Sequence, residues 1–177
     1  MWISTLIVIS YLMLGIFYSP EGSTKTTIAP TGNLATFGAG SPIPPCFLPS
    51  SLGNHINTIL ECNEVIDQGL YPEQAYYNRG LAYLKLGKYD LALEDCLTSI
   101  ELSPQDARGY YNCGISHYEL GEYERALEKF TTTIELAPNW MMGYYHRAMT
   151  FVELDRWEDA EDDNLYAWYL NRKHYKN

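Results

Sequence analysis

Shifted by 34 residues, the chain falls into register with itself, and a period of that length restricts it to an array of helical hairpins. Tyr76-Tyr77 recurs as Tyr110-Tyr111 and Tyr144-Tyr145, Gly80 as Gly114 and Ala148, and Leu86-Gly87 as Leu120-Gly121 and Leu154-Asp155. Tyr89, Tyr123 and Trp157 keep the same step, as do Ala92, Ala126 and Ala160, while Pro104 and Pro138 close the first two units.

One unit follows from these positions. In the first, residues from about Glu73 to Leu86 form helix A and residues from about Tyr89 to Leu102 form helix B. Gly87 between them supplies the left-handed conformation that ends a helix. Gly80 and Ala92 are small and let two antiparallel helices approach, whereas Tyr83, Tyr89 and Ile100 fill the space around them. Ser103-Pro104 stops helix B, because proline lacks the next backbone donor and restricts the residue before it.

The frame also runs backward. Ile59, Leu93 and Leu127 are 34 apart, as are Cys62, Cys96 and Phe130, and Ile66, Ile100 and Ile134. A lone helix B, from about Asn54 to Gln68 and ended by Gly69, therefore precedes the first full unit, since prolines 42, 44, 45 and 49 forbid its helix A. It covers the apolar end of the array, as a terminal cap must. The expected fold is all-α, an α-solenoid of about three and a half repeats: a half-repeat capping helix at 54–72, then units at 73–106, 107–140 and 141–174.

Residues 19–53 are rich in Pro, Gly, Ser and Thr and read as a disordered tether, because ordering them would cost more entropy than burial returns. Trp2–Tyr18 carries no charged side chain and is rich in Ile, Leu, Val and Met. Residues 1–18 are thus expected to be an uncleaved membrane anchor or a signal segment, giving a membrane-associated or exported protein. The flanks do not fix an orientation, since only Lys25 is close.

These residues resemble the tetratricopeptide repeat family, whose order of an aromatic, Leu-Gly, Tyr, Ala, Phe and Pro is met in outline over a little more than half of the chain. Departures are Arg79, Cys113 and Arg147 where the family has Leu, and Cys96 and Asn164 where Phe130 keeps the aromatic. The resemblance implies a right-handed superhelix whose concave face, made by the A helices, binds extended peptides. That face would present Gln74, Tyr77, Leu81 and Lys85 from the first unit, Arg108, Tyr111, Asn112, Ile115 and Glu119 from the second, and Met142, Tyr145, Met149 and Glu153 from the third. The competing reading packs these tyrosines between neighbouring A helices. The family's carboxylate clamp is not supported, because of its residues only Asn112 is matched; Tyr77, Leu81, Met142 and His146 stand at the others.

Composition agrees with a protein-binding role. Sixteen Tyr and four Trp against five Phe supply amphipathic rings that line surfaces as well as cores. A net charge of −10 opposes nucleic acid, whose phosphates call for clustered Lys and Arg. Catalytic residues, a metal and a cofactor are not expected. His55, His117, His146 and His174 fall in different elements, Cys113 reads as an inert buried thiol, and the acids from Glu158 to Asp163 lack the alternation of a calcium loop. Cys46, Cys62, Cys96 and Cys113 form no CxxC pair and read as small core residues, their disulfide status open. The expected partner is a protein or peptide ligand. The rival role is self-assembly through Tyr166, Trp168, Tyr169 and Leu170 of the final helix, or a place as an accessory subunit.

Overall fold

The 34-residue frame is realised as seven helices in a computed structural model that describes residues 54–174 together with Cys46. They are α1 (His55–Asp67), α2 (Pro72–Lys85), α3 (Tyr89–Leu102), α4 (Ala107–Glu119), α5 (Tyr123–Leu136), α6 (Met141–Glu153) and α7 (Trp157–His174). Among the described residues no strand occurs, so the fold is an all-α solenoid of the tetratricopeptide type: α1 as a half unit, then the hairpins α2–α3, α4–α5 and α6–α7. Each helix packs on its neighbours in sequence, and α2 also touches α4 and α4 touches α6, whereas the B helices do not touch one another. The A helices therefore line the inner side of the array.

Local chemistry sets the boundaries. The Asn54 side chain accepts from Asn57 N at 3.2 Å and caps α1, and Asp106 does the same for α4 through Arg108 N at 3.0 Å. Pro72 opens α2, where its missing N–H costs nothing. The three intra-hairpin turns share one geometry. Lys88, Glu122 and Arg156 donate from their backbone N–H to the carbonyls of Tyr83, His117 and Phe151, each at 2.9 Å. The residue before each donor is left-handed: Gly87 at φ 68°, Gly121 at φ 76° and Asp155 at φ 57°. The turn thus survives the loss of its glycine in the third unit, at a conformational cost.

Between the helices, small residues meet large ones. A Cβ on Gly80 would stand 3.5 Å from the Ala92 carbonyl, and one on Gly114 would stand 2.5 Å from Phe130 Cε1, so α4 and α5 touch at a separation only glycine allows. Phe130 is fully buried there.

The strongest polar links repeat as well. Arg79 on α2 forks onto Asp95 of α3 at 2.7 and 2.9 Å and reaches back to Asn63 of α1 at 2.6 Å. Arg147 on α6 forks onto Asp163 of α7 at 2.6 and 2.8 Å and reaches Thr131 of α5 at 3.3 Å. Each arginine thereby joins an A helix to both flanking B helices. In the second unit the same position is Cys113, and it forms a disulfide with Cys96 of α3. A second disulfide joins Cys46 to Cys62 of α1, beside Val65, Ala75 and Ile66. The four cysteines are core residues, at 0–1 % exposure, and they form two covalent cross-links, which fills in the disulfide status left open by the sequence and corrects the reading of Cys113 as an inert thiol. Cys46, which falls in the stretch read as a tether, is buried against α1.

The localisation expected from the sequence is also corrected. Among the described residues no helix is long and apolar enough to cross a membrane, and the one stretch read as a span, residues 2–18, lies outside them.

Asp155 offers a direct check on the turn geometry. Replacing it by Gly removes a left-handed L-residue and is expected to raise stability by about 0.5 kcal/mol, the relief outweighing the freedom glycine gains when unfolded. Asp155→Val is expected to lower stability by more than about 1 kcal/mol, because a β-branched side chain is strained at positive φ. Denaturant titration measures both; a valine variant as stable as the parent would contradict the account of this turn.

Candidate protein-binding groove

The A helices carry three tyrosines in step, Tyr77, Tyr111 and Tyr145, one from each unit, and all three are half-buried. Around Tyr111 and Tyr145 the rings form one aromatic cluster. Tyr111 packs on Trp140 with ring centroids 4.6 Å apart and meets His146 edge-on at 5.4 Å; Phe130 stacks on His146 at 5.7 Å, and Tyr145 meets it edge-on at 5.2 Å. Such tilted and edge-on pairs are worth about 0.5–1.5 kcal/mol each beyond their burial. Tyr111 thus packs against α6 through His146 and against the connection before it through Trp140.

Burial governs the electrostatics of this cluster. His146 is pushed down to about 4 from an ordinary 6.5, first because burial disfavours its charged form and second because Lys85 adds like charge. It is neutral at physiological pH. The Tyr111 phenol is raised, chiefly by burial and further by Tyr77 and Tyr145 beside it. Around His146 the groove therefore presents neutral rings rather than a charge.

The first-unit end of the same face is polar. Arg108 lies over the Tyr77 ring at 4.8 Å, pairs with Asp106 at 2.7 Å and donates to Gln74 Oε1 at 3.2 Å, tying α2 to α4. Asp106 is held below the usual carboxylate range, first by the Arg108 hydrogen bond. Leu81, Ile115, Met142 and Met149 are partly exposed, whereas Lys85, Glu119 and Glu153 are exposed, with Glu153 accepting from the Tyr118 hydroxyl at 3.3 Å. Asn112 is the exception among the groove residues, at 1 % exposure, and its Nδ2 has no hydrogen-bond partner among the described residues. A buried amide donor left in this state costs about 1–3 kcal/mol.

Sequence reasoning left out Trp140, which packs on Tyr111, and named His146 only as standing at a position of the carboxylate clamp. Trp140 lies in the connection before α6, outside both helices of its unit, so helical periodicity gives it no face. His146 does carry a signal, because it stands 34 residues after Asn112 and 68 after Asn78. Cys113 carries no free thiol, since it is joined to Cys96.

Comparison with known proteins gives the family. The tetratricopeptide repeat pattern matches residues 73–106 and again residues 107–140. No curated protein matches the sequence. Among solved structures the chain is similar to MamA (41-end) from Desulfovibrio magneticus RS-1, with a TM-score of 0.64 at 24% identity over 69% of each chain. It is similar to an RS-1 MamA ArsTM double mutant, with a TM-score of 0.65 at 23% identity over 71% of each chain. A further crystal structure of MamA gives 0.62 at 21% identity, over 70% of this chain and 72% of that one. At these identities the likeness is one of fold. With two matched repeats and a third hairpin in the same frame, residues 73–174 form a repeat array of the tetratricopeptide type.

Proposed function

We propose that this protein is a scaffold that grips a segment of a partner protein along the inner face of its A helices, with apolar or aromatic side chains of that segment as anchors. The observation that carries the reading is the continuous ring surface of Tyr111, Trp140, Tyr145 and His146, kept neutral by burial and bordered by Ile115, Met142 and Met149. Each anchor buried on such a surface contributes roughly 1.5–3 kcal/mol. Gln74, Tyr77 and Arg108 offer polar and cation–π contacts at one end, Leu81 and Lys85 flank them, and Glu119 sits at the exposed rim. The Asn112 amide supplies a donor for a backbone carbonyl of the segment if the groove opens around it. Binding rather than catalysis also suits side chains whose polar groups are mostly committed to one another.

Affinity capture with the intact chain as bait, followed by the same capture with variants, tests the reading. Met149→Ala is expected to weaken the captured partner about tenfold while shifting the melting temperature little, and Tyr145→Ala to weaken it at least as much with a moderate fall in melting temperature, since aromatic groups at an interface centre often cost about 2 kcal/mol when truncated and Tyr145 also packs on His146. Tyr111→Ala is expected to lower both, because Tyr111 also holds Trp140 and His146 in place. Full affinity in Tyr145→Ala and Met149→Ala would remove the groove as the working surface.

The neutral state of His146 has its own consequence. Its folded value lies near 4 against an unfolded 6.5, so between those values the unfolded chain binds a proton that the folded chain does not. Stability therefore falls as pH drops through that window and is untouched above about pH 7. His146→Phe is expected to lose about 2 kcal/mol less than the parent between pH 7 and pH 4.5, as read from paired denaturant titrations that cancel the carboxylates common to both. Equal losses would mean that His146 is not held neutral.

A further inference from the structure

We propose that the outer face of α7 is a self-pairing surface, through which two copies of this chain associate with their α7 helices antiparallel about a two-fold axis. Inside the array every B helix receives the next A helix. On α5 the residues turned to α6 are Thr131, which accepts from Arg147 at 3.3 Å, and Ile134, whose Cγ1 would stand 3.1 Å from a Cβ on Gly143. The same positions of α7, 34 residues on, are Leu165 and Trp168, and no described helix covers them. A helix face left to water is polar as a rule. Here it is large and apolar instead: Leu165 is 58 %, Trp168 50 % and Tyr169 51 % exposed.

The helix surface itself selects the occupant. Glu161, Leu165, Trp168 and Arg172 follow one another at helical spacing along a single stripe, with acids Glu158, Asp159, Glu161 and Asp162 at the first turns and Arg172 and Lys173 at the last. A parallel copy would set like charges side by side. An antiparallel copy, with its axis between Tyr166 and Ala167, sets Leu165 opposite Trp168 and Glu161 opposite Arg172, and it opposes the two helix dipoles. Arg172 already lies over the Trp168 ring at 5.3 Å, at the edge of that apolar centre. A second exposed apolar stripe, Ile56 and Leu60 on α1, is followed by Glu61, Glu64 and Asp67, so a head-to-tail contact that sets α1 antiparallel to α7 would bring acids to acids. Leu170, expected from the sequence on this surface, is instead buried at 7 % exposure, and Tyr166 packs on Tyr144 at 4.6 Å, so the face is narrower than the run of apolar residues suggests.

Sedimentation velocity of the full-length chain at about 100 µM reads the proposal. The expected result is a reversible dimer with no larger species. Leu165→Asp with Trp168→Asp is expected to raise the dissociation constant at least tenfold at an unchanged melting temperature, because in a two-fold contact every substitution counts twice. Arg172→Glu is expected to weaken the dimer, and Glu161→Arg added to it to restore the parent value. A monomer at that concentration, a dimer indifferent to the aspartates, assemblies that keep growing with concentration, or a charge reversal without rescue would each overturn the proposal.

Discussion

One position of the repeat decides how the helices of this protein stay together. It lies on the A helix, where the family places an apolar residue, and it bears Arg79, Cys113 and Arg147 in the three units. Each arginine satisfies a carboxylate on its own B helix and a polar side chain on the preceding one, in forks of 2.6–2.9 Å to carboxylates only 3 % and 7 % exposed. An ion pair of this kind adds little net stability over an apolar pair, but breaking it costs about 3–5 kcal/mol because a charge is left in the interior. It therefore fixes register more than it adds strength. In the middle unit the link to the preceding helix is a covalent bond, and Lys129, the counterpart of Asp95 and Asp163, pairs instead with Glu128 at 2.9 Å.

The proposed groove depends on that arrangement. Tyr77, Tyr111 and Tyr145 form a line only while α2, α4 and α6 keep their spacing, and each of these helices is held two residues further on by Arg79, Cys113 or Arg147. The aromatic cluster then spans two units, with Phe130 from within α5, Trp140 from the α5–α6 connection and His146 at its centre. Burial, which makes the imidazole neutral, is what turns a line of polar-tipped rings into an apolar surface.

The architecture was legible because each signal for it is local. The period of 34, the glycines at 69, 87 and 121 and the prolines after α3 and α5 specify helices, turns and order, and the helices lie where these residues put them. Three features needed contacts between units. Cys96 and Cys113 are 17 apart and Cys46 and Cys62 are 16 apart, close to the spacing of 16 that separates Arg79 from Asp95 and Arg147 from Asp163, so the pairing was written in the sequence but became readable only with the forks beside it. Trp140 joins the aromatic cluster from a loop, where periodicity says nothing. Leu170 and Leu165 are alike in composition, and only the packing of Ala160, Asp163 and Ala167 shows which of the two faces inward.

Residue-resolved hydrogen exchange, with and without reductant, tests directly the claim that each unit is locked by the side chain at this one position. Stability in a repeat array is a sum of local terms and nearest-neighbour contacts, so removing one contact is felt at its own interface first. Reduction is expected to lower amide protection in α1, α3 and α4, whose disulfides are lost, and to leave most of the protection of α6 and α7, which the Arg147 fork retains. Uniform loss along the whole array, or protection in α3 and α4 that does not change, would contradict the account.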